Sequence, residues 1–132
     1  MKKITSAEAY SLNQNFVKTR SKAIDVAIGK KDAISCWFSI EELKEYINFV
    51  EQEGKAKGIA VNGLRIYLGA YAKNENNPIK SNLSTVFFIP TQPKKNSASE
   101  NEFLTSPSID IIEIDGLNDG QYGNPPSAVY PQ

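Results

Sequence analysis

Ser39-Ile40-Glu41-Glu42-Leu43-Lys44-Glu45-Tyr46-Ile47 is the stretch that decides how this chain folds. A serine followed three residues later by a glutamate makes a capping box. The hydroxyl accepts from a first-turn N–H, and the carboxylate reaches back to the cap. Glu41, Glu42 and Glu45 crowd the first turn, where the helix dipole favours anions. Lys55 and Lys57 sit near the other end, where it favours cations, and Gly58 can stop the helix. Ile40, Leu43, Ile47 and Val50 form one apolar stripe, widened by Tyr46 and Phe49. All of these signals predict the same helix.

After that helix, Asn62-Gly63 signals a turn, and Leu64 to Tyr71 alternates as a strand does. Leu64, Ile66, Leu68 and Ala70 take one face; Arg65, Tyr67, Gly69 and Tyr71 take the other. A loop from Lys73 to Asn82 leads to a second strand from Leu83 to Ile89, ended by Pro90, and the two pair most simply antiparallel. Before the helix, Ala33-Ile34-Ser35-Cys36-Trp37-Phe38 is apolar and rich in strand formers. It reaches the strand at 64–71 through a helix, which suits a parallel pair with a right-handed crossover. Earlier still, Thr5-Ser6-Ala7-Glu8 is another capping box, and Ala9, Leu12 and Phe16 recur at helical spacing. A helix is expected from about Ser6 to Arg20. Ile24, Ala27 and Ile28 allow it to continue to a stop at Gly29.

The expected class is α+β, a small three- or four-stranded mixed or antiparallel sheet with two helices packed on one face. Its core domain spans residues 1–92, with the best-specified part at 34–91. Residues 93–132 differ in composition. Pro93 to Pro107 reads as a linker or long surface loop, Ile109 to Ile114 offers a short strand, and a Gly/Pro-rich acidic tail follows. The chain's 132 residues suit one domain.

Several segments carry a resemblance. Trp37-Phe38-Ser39-Ile40-Glu41-Glu42-Leu43, Asn62-Gly63-Leu64-Arg65-Ile66-Tyr67-Leu68-Gly69-Ala70-Tyr71 and Thr85-Val86-Phe87-Phe88-Ile89-Pro90-Thr91 are the main ones. With the ending Gly123-Asn124-Pro125-Pro126, they resemble a group of small bacterial proteins without an assigned activity. The resemblance implies the core boundaries and carries no catalytic residue or cofactor with it.

The residue inventory excludes more than it proposes. Histidine is absent, which removes Ser-His-Asp and Cys-His catalysis, His-based zinc sites and a His pH switch. Cys36 is the only cysteine, so no intramolecular disulfide is available and an oxidising compartment is not indicated. No run is long enough to span a membrane, and no apolar leader core follows Met1-Lys2-Lys3, so a cytoplasmic protein is expected. Residues 1–95 hold all 15 basic residues and 9 of the 15 acids, a net of +6; the remainder holds 6 acids and nets −6. Such a tail is either a solvated polar extension or a segment that folds back over a basic face.

Arg65, Tyr67 and Tyr71 share a strand face, and Thr85 can join them from the next strand. They form either a platform for an anionic or planar ligand, held by guanidinium pairing and stacking, or a cross-strand packing face. Cys36 lacks an imidazole base and reads as a packed core thiol. Glu113, Asp115, Asn118 and Asp119 do not match an EF-hand loop, since Leu117 would fall at its third position, and no metal or other cofactor is expected. Glycine spacing fits neither a dinucleotide fingerprint nor a phosphate loop. Lysines are scattered, which argues against nucleic acid unless folding gathers Lys18, Arg20, Lys22, Lys30 and Lys31. No residue is assigned as catalytic.

The expected function is a non-catalytic protein-interaction module that meets a protein partner or a second copy through a sheet edge or the C-terminal tail. Pro125, Pro126 and Tyr130 are the tail residues suited to an extended docked peptide. A ligand-binding protein or small enzyme using the Arg65/Tyr67/Tyr71 face is one alternative; an immunity-type or regulatory partner is another.

Overall fold

The computed structural model describes residues 1–94 and 108–132. The loop expected up to Pro107 lies, after Lys94, outside the described residues. The chain is α+β, with a three-stranded antiparallel sheet in the order β1-β2-β3. β1 is Gly63–Ala70, β2 is Ser84–Pro93 and β3 is Ser108–Asp110. The chain divides into two compact units. One comprises Met1–Trp37, Gly69–Thr85 and Gly120–Gln132; the other comprises Phe38–Leu68 and Val86–Asp119.

In the first unit, helix α1 (Ser6–Phe16) begins at the expected capping box. Thr5 Oγ1 accepts from Glu8 N at 3.2 Å, and Glu8 accepts from Thr5 N at 2.7 Å. The helical path continues through a π turn at Val17–Ser21 into α2 (Lys22–Ile28). Gly29 ends it with φ 74°, a left-handed conformation that costs glycine no side-chain clash. The chain then turns into Asp32, which is only 2% exposed. Its N–H donates to Asp25 Oδ1 at 2.8 Å, and its carboxylate accepts from the Ser84 N–H at 2.7 Å and from the Ser84 hydroxyl. A carboxylate this buried is tolerable because those donors replace water.

The segment 34–38 is not the expected strand, and it does not pair in parallel with β1. Among the described residues, Trp37 alone of this segment makes a bridge, antiparallel to Gln121. Trp37 N donates to Gln121 O at 2.7 Å, and Gln121 N donates to Trp37 O at 2.8 Å. Ile34 N donates to the Pro126 carbonyl at 3.2 Å. Strand formers alone did not make a strand here, and C-terminal residues supply the segment's hydrogen-bond partners.

In the second unit, helix α3 (Ile40–Lys57) has the second capping box, with Ser39 and Glu42 bonded reciprocally at 3.0 and 2.9 Å. Gly58 caps its C-terminus with φ 67°. The buried line runs through Tyr46, Val50 and Gly54, spaced four apart. Ile40 and Ile47, expected on the buried stripe, are exposed. The core is Tyr46, Val50, Ile111 and Ile114, flanked by Ile59, Val61, Leu64, Phe88 and Leu117. Two of its four central residues thus come from beyond residue 93, the part set apart by composition.

β2 does not stop at Pro90 as expected. Proline lacks a donor but keeps its carbonyl, and Ile111 N donates to Pro90 O at 2.9 Å. β3 is shorter than the expected 109–114 strand and pairs Thr91 with Asp110 and Pro93 with Ser108. Beyond it, Phe88 and Leu117 exchange backbone bonds of 2.8 and 3.0 Å.

Gly54 gives this packing a sharp test. A Cβ there would come within 2.7 Å of both Ile59 O and Val61 Cγ2. Helix propensity alone favours Gly54→Ala by about 1 kcal/mol, whereas overpacking of this kind costs about 1–3 kcal/mol. Because a backbone oxygen cannot swing aside, we expect Gly54→Ala to lower stability by about 1 kcal/mol in urea unfolding. A stabilised variant would show that α3 does not lie this close to 59–61.

Candidate functional site

The four residues of the expected ligand face are divided between the two units. Arg65 and Tyr67 belong to the second unit, and Tyr71 and Thr85 to the first.

Alternation on β1 points Arg65 and Tyr67 the same way, and Asp110 on β3 meets both. One carboxylate oxygen bonds the Arg65 guanidinium, and the other accepts from the Tyr67 hydroxyl. A second Arg65 nitrogen donates to Ser108 O at 2.8 Å. The Tyr67 ring stacks on Phe87, with centroids 5.3 Å apart and planes 17° apart. The charge expected to attract a ligand anion is therefore matched by an internal carboxylate, so the cluster joins β1 to β3. Asp110 was missing from the sequence reading because nothing local ties it to residue 65, although an acid in a strand-forming run was a usable cue. On the other face of β1, Leu64 packs against the core, whereas Ile66 and Leu68 are exposed, at 59% and 84%.

Tyr71 and Thr85 lie in a different setting. Tyr71 N donates to Leu83 O at 3.0 Å, and the Lys80 ammonium sits 5.4 Å from the Tyr71 ring centroid. Thr85 is buried, with its hydroxyl 3.9 Å from Cys36 Sγ. Tyr122, which sequence reasoning missed, belongs to this group and donates its hydroxyl proton to Ser84 O at 2.9 Å. Burial, with the neighbouring Tyr71 and Cys36, pushes the Tyr122 phenol up to about 12. A lone aromatic in a Gly/Asn-rich run was the available signal.

The tail residues are engaged within their own unit. The Pro126 carbonyl accepts from Ile34, Ala128 N donates to Pro125 O at 2.9 Å, and Tyr130 N donates to Asn13 Oδ1 at 3.0 Å. With Cys36, Trp37 and Tyr122, Tyr130 lines an open cleft of about 550 Å³. Pro125 and Pro126 do not line it. A second cavity of about 170 Å³ is bordered by Ser21, Asp25, Lys31 and Asp32, and the buried Ser21 hydroxyl finds no hydrogen-bond partner among the described residues.

These arrangements present hydrogen-bonding groups and aromatic rings at the surface. Among the described residues, no three His, Cys, Asp or Glu side chains converge as a metal site would need, and no helix is long and apolar enough to cross a membrane. The class of the fold is α+β, set by its helices and its three-stranded sheet. Neither protein-family models, nor characterised proteins, nor solved structures include a match to this chain.

The raised Tyr122 phenol sets a pH dependence. A group whose folded value lies above its unfolded value of 10.0 stabilises fully below pH 10, and that contribution is lost as pH rises through about 12. Tyrosinate absorbance of the protein minus that of Tyr122→Phe should therefore show a group titrating near 12. A difference curve centred on an ordinary tyrosine value would contradict the burial of this hydroxyl.

Proposed function

We propose that the protein is a non-catalytic interaction module whose β1 edge accepts a strand from a second copy of the chain. The observation that carries the reading is the exposure of Ile66 and Leu68 on a terminal strand, at 59% and 84%. Edge strands are ordinarily blunted by lysine, proline or a covering element, because their outward N–H and C=O groups recruit other strands. Gly63–Ala70 contains no lysine or proline, and its one charge, Arg65, is matched by Asp110.

The strand is also self-complementary. Antiparallel pairing centred on Tyr67 sets Ile66 opposite Leu68 of the second copy, and Leu64 opposite Ala70. On that face apolar residues then meet apolar residues, and main-chain bonds supply affinity as in strand addition. An anionic ligand on Arg65 has less support, because it would compete with a carboxylate already in place.

Native mass measurement tests this. The protein should be found at twice 14.6 kDa, and Leu68→Lys should return it to 14.6 kDa. A lysine there places a charge in the paired edge and removes a Leu contact, which should weaken the dimer by more than about tenfold. A wild-type protein that stays at monomer mass at high concentration would overturn the reading.

A further inference from the structure

The cleft beside Trp37 has a composition that points to a ligand class. Its volume of about 550 Å³ lies within the usual range for small-molecule sites. Three aromatic side chains line it: Trp37, Tyr122 and Tyr130. No Lys, Arg, Asp or Glu lines it among the described residues. An anion would find no cationic side chain there among the described residues, and a cation no carboxylate side chain.

What the cleft offers in place of charge is carboxamide. Asn13, Gln121, Asn124 and Gln132 all border it. Each carboxamide pairs an acceptor oxygen with a two-proton donor nitrogen. Asn13 and Gln132 are partly used, by Tyr130 N at 3.0 Å and by Ser35 Oγ at 3.1 Å. The Gln121 and Asn124 side chains make no hydrogen bond to another described residue. Groups that donate and accept side by side match ligand hydroxyls, which do the same.

Trp37 adds the stacking surface. It is the chain's only tryptophan, and its side chain is 57% exposed. Exposure is not slackness here, because two backbone bonds to Gln121, of 2.7 and 2.8 Å, fix its main chain. An exposed indole on a fixed main chain, beside amides with no described partner, presents a flat apolar surface next to hydroxyl-matching polar groups. A sugar ring has the complementary pattern, with C–H faces above and below and hydroxyls around its edge.

We infer that this cleft binds a short neutral oligosaccharide, stacked on Trp37 and hydrogen-bonded by Gln121 and Asn124. Tyr122 contributes a ring wall, since its hydroxyl is committed to Ser84 O. The site is independent of the β1 edge, so each can fail without the other.

Trp37 makes the test direct. Its emission can be followed in the full-length protein during titration with chitotriose, cellotriose, maltotriose and xylotriose, each to millimolar concentration, with uridine and choline chloride as ligands of other chemistry. At least one trisaccharide should shift the emission saturably. Gln121→Ala should weaken that binding by about tenfold with unchanged melting temperature. Tyr130→Ala, read the same way, gives a second variant should the first disturb the Trp37 bridge. The inference is overturned if no trisaccharide saturates, if uridine or choline is the ligand that does, or if both variants bind unchanged.

Discussion

The backbone of β2 has two edges, and most of the second unit follows from the need to hydrogen-bond both of them. On one side Asn62 N donates to Thr91 O at 2.9 Å as β1 begins. On the other side the partners are Ile111 and Leu117, which lie in a stretch rich in acids and glycine. Pairing draws that stretch against α3. Ile111 and Ile114 then complete a core with Tyr46 and Val50, and the Tyr46 hydroxyl donates to Asp115 O at 3.0 Å. The same pairing carries Asp110 to Arg65 and Tyr67. One backbone requirement thus creates both the core and the ion pair that occupies the expected ligand face.

It also makes β1 and β3 the outer strands of the sheet. β1 is the one we propose for the second copy, with Ile66 and Leu68 exposed on it. In the first unit, residues 120–132 play a comparable part by pairing with Trp37 and Ile34 and forming one wall of the cleft. The two surfaces differ in chemistry. β1 carries exposed aliphatic side chains, whereas the cleft is aromatic and amide-lined.

Helices were legible in the sequence because their determinants are local. Both capping boxes form, and Gly29 and Gly58 both take left-handed conformations at helix ends. The π turn at Val17–Ser21 had no cue, and the buried line of α3 rotated toward Tyr46 and Gly54 once Ile111 and Ile114 arrived to cover it. Strand existence was legible for β1 and β2 from alternation. Pairing was not, because Ile34 to Phe38 looks like a strand from propensity alone and finds its partner some 84 residues later, at Gln121. Arg65 and Tyr67 were legible as neighbours from their spacing of two. Asp110, Tyr122 and the cleft were not, since each depends on contacts that cross most of the chain.

The claim on which all of this depends is that residues 108–117 form the second edge of β2. Amide hydrogen exchange at Ile111 and Leu117 tests it most directly, because each N–H is assigned a single acceptor, Pro90 O at 2.9 Å and Phe88 O at 3.0 Å. The account predicts strong protection at both, close to that of the α3 amides around Val50. Exchange at the rate of a free peptide at Ile111 and Leu117, with α3 still protected, would contradict it.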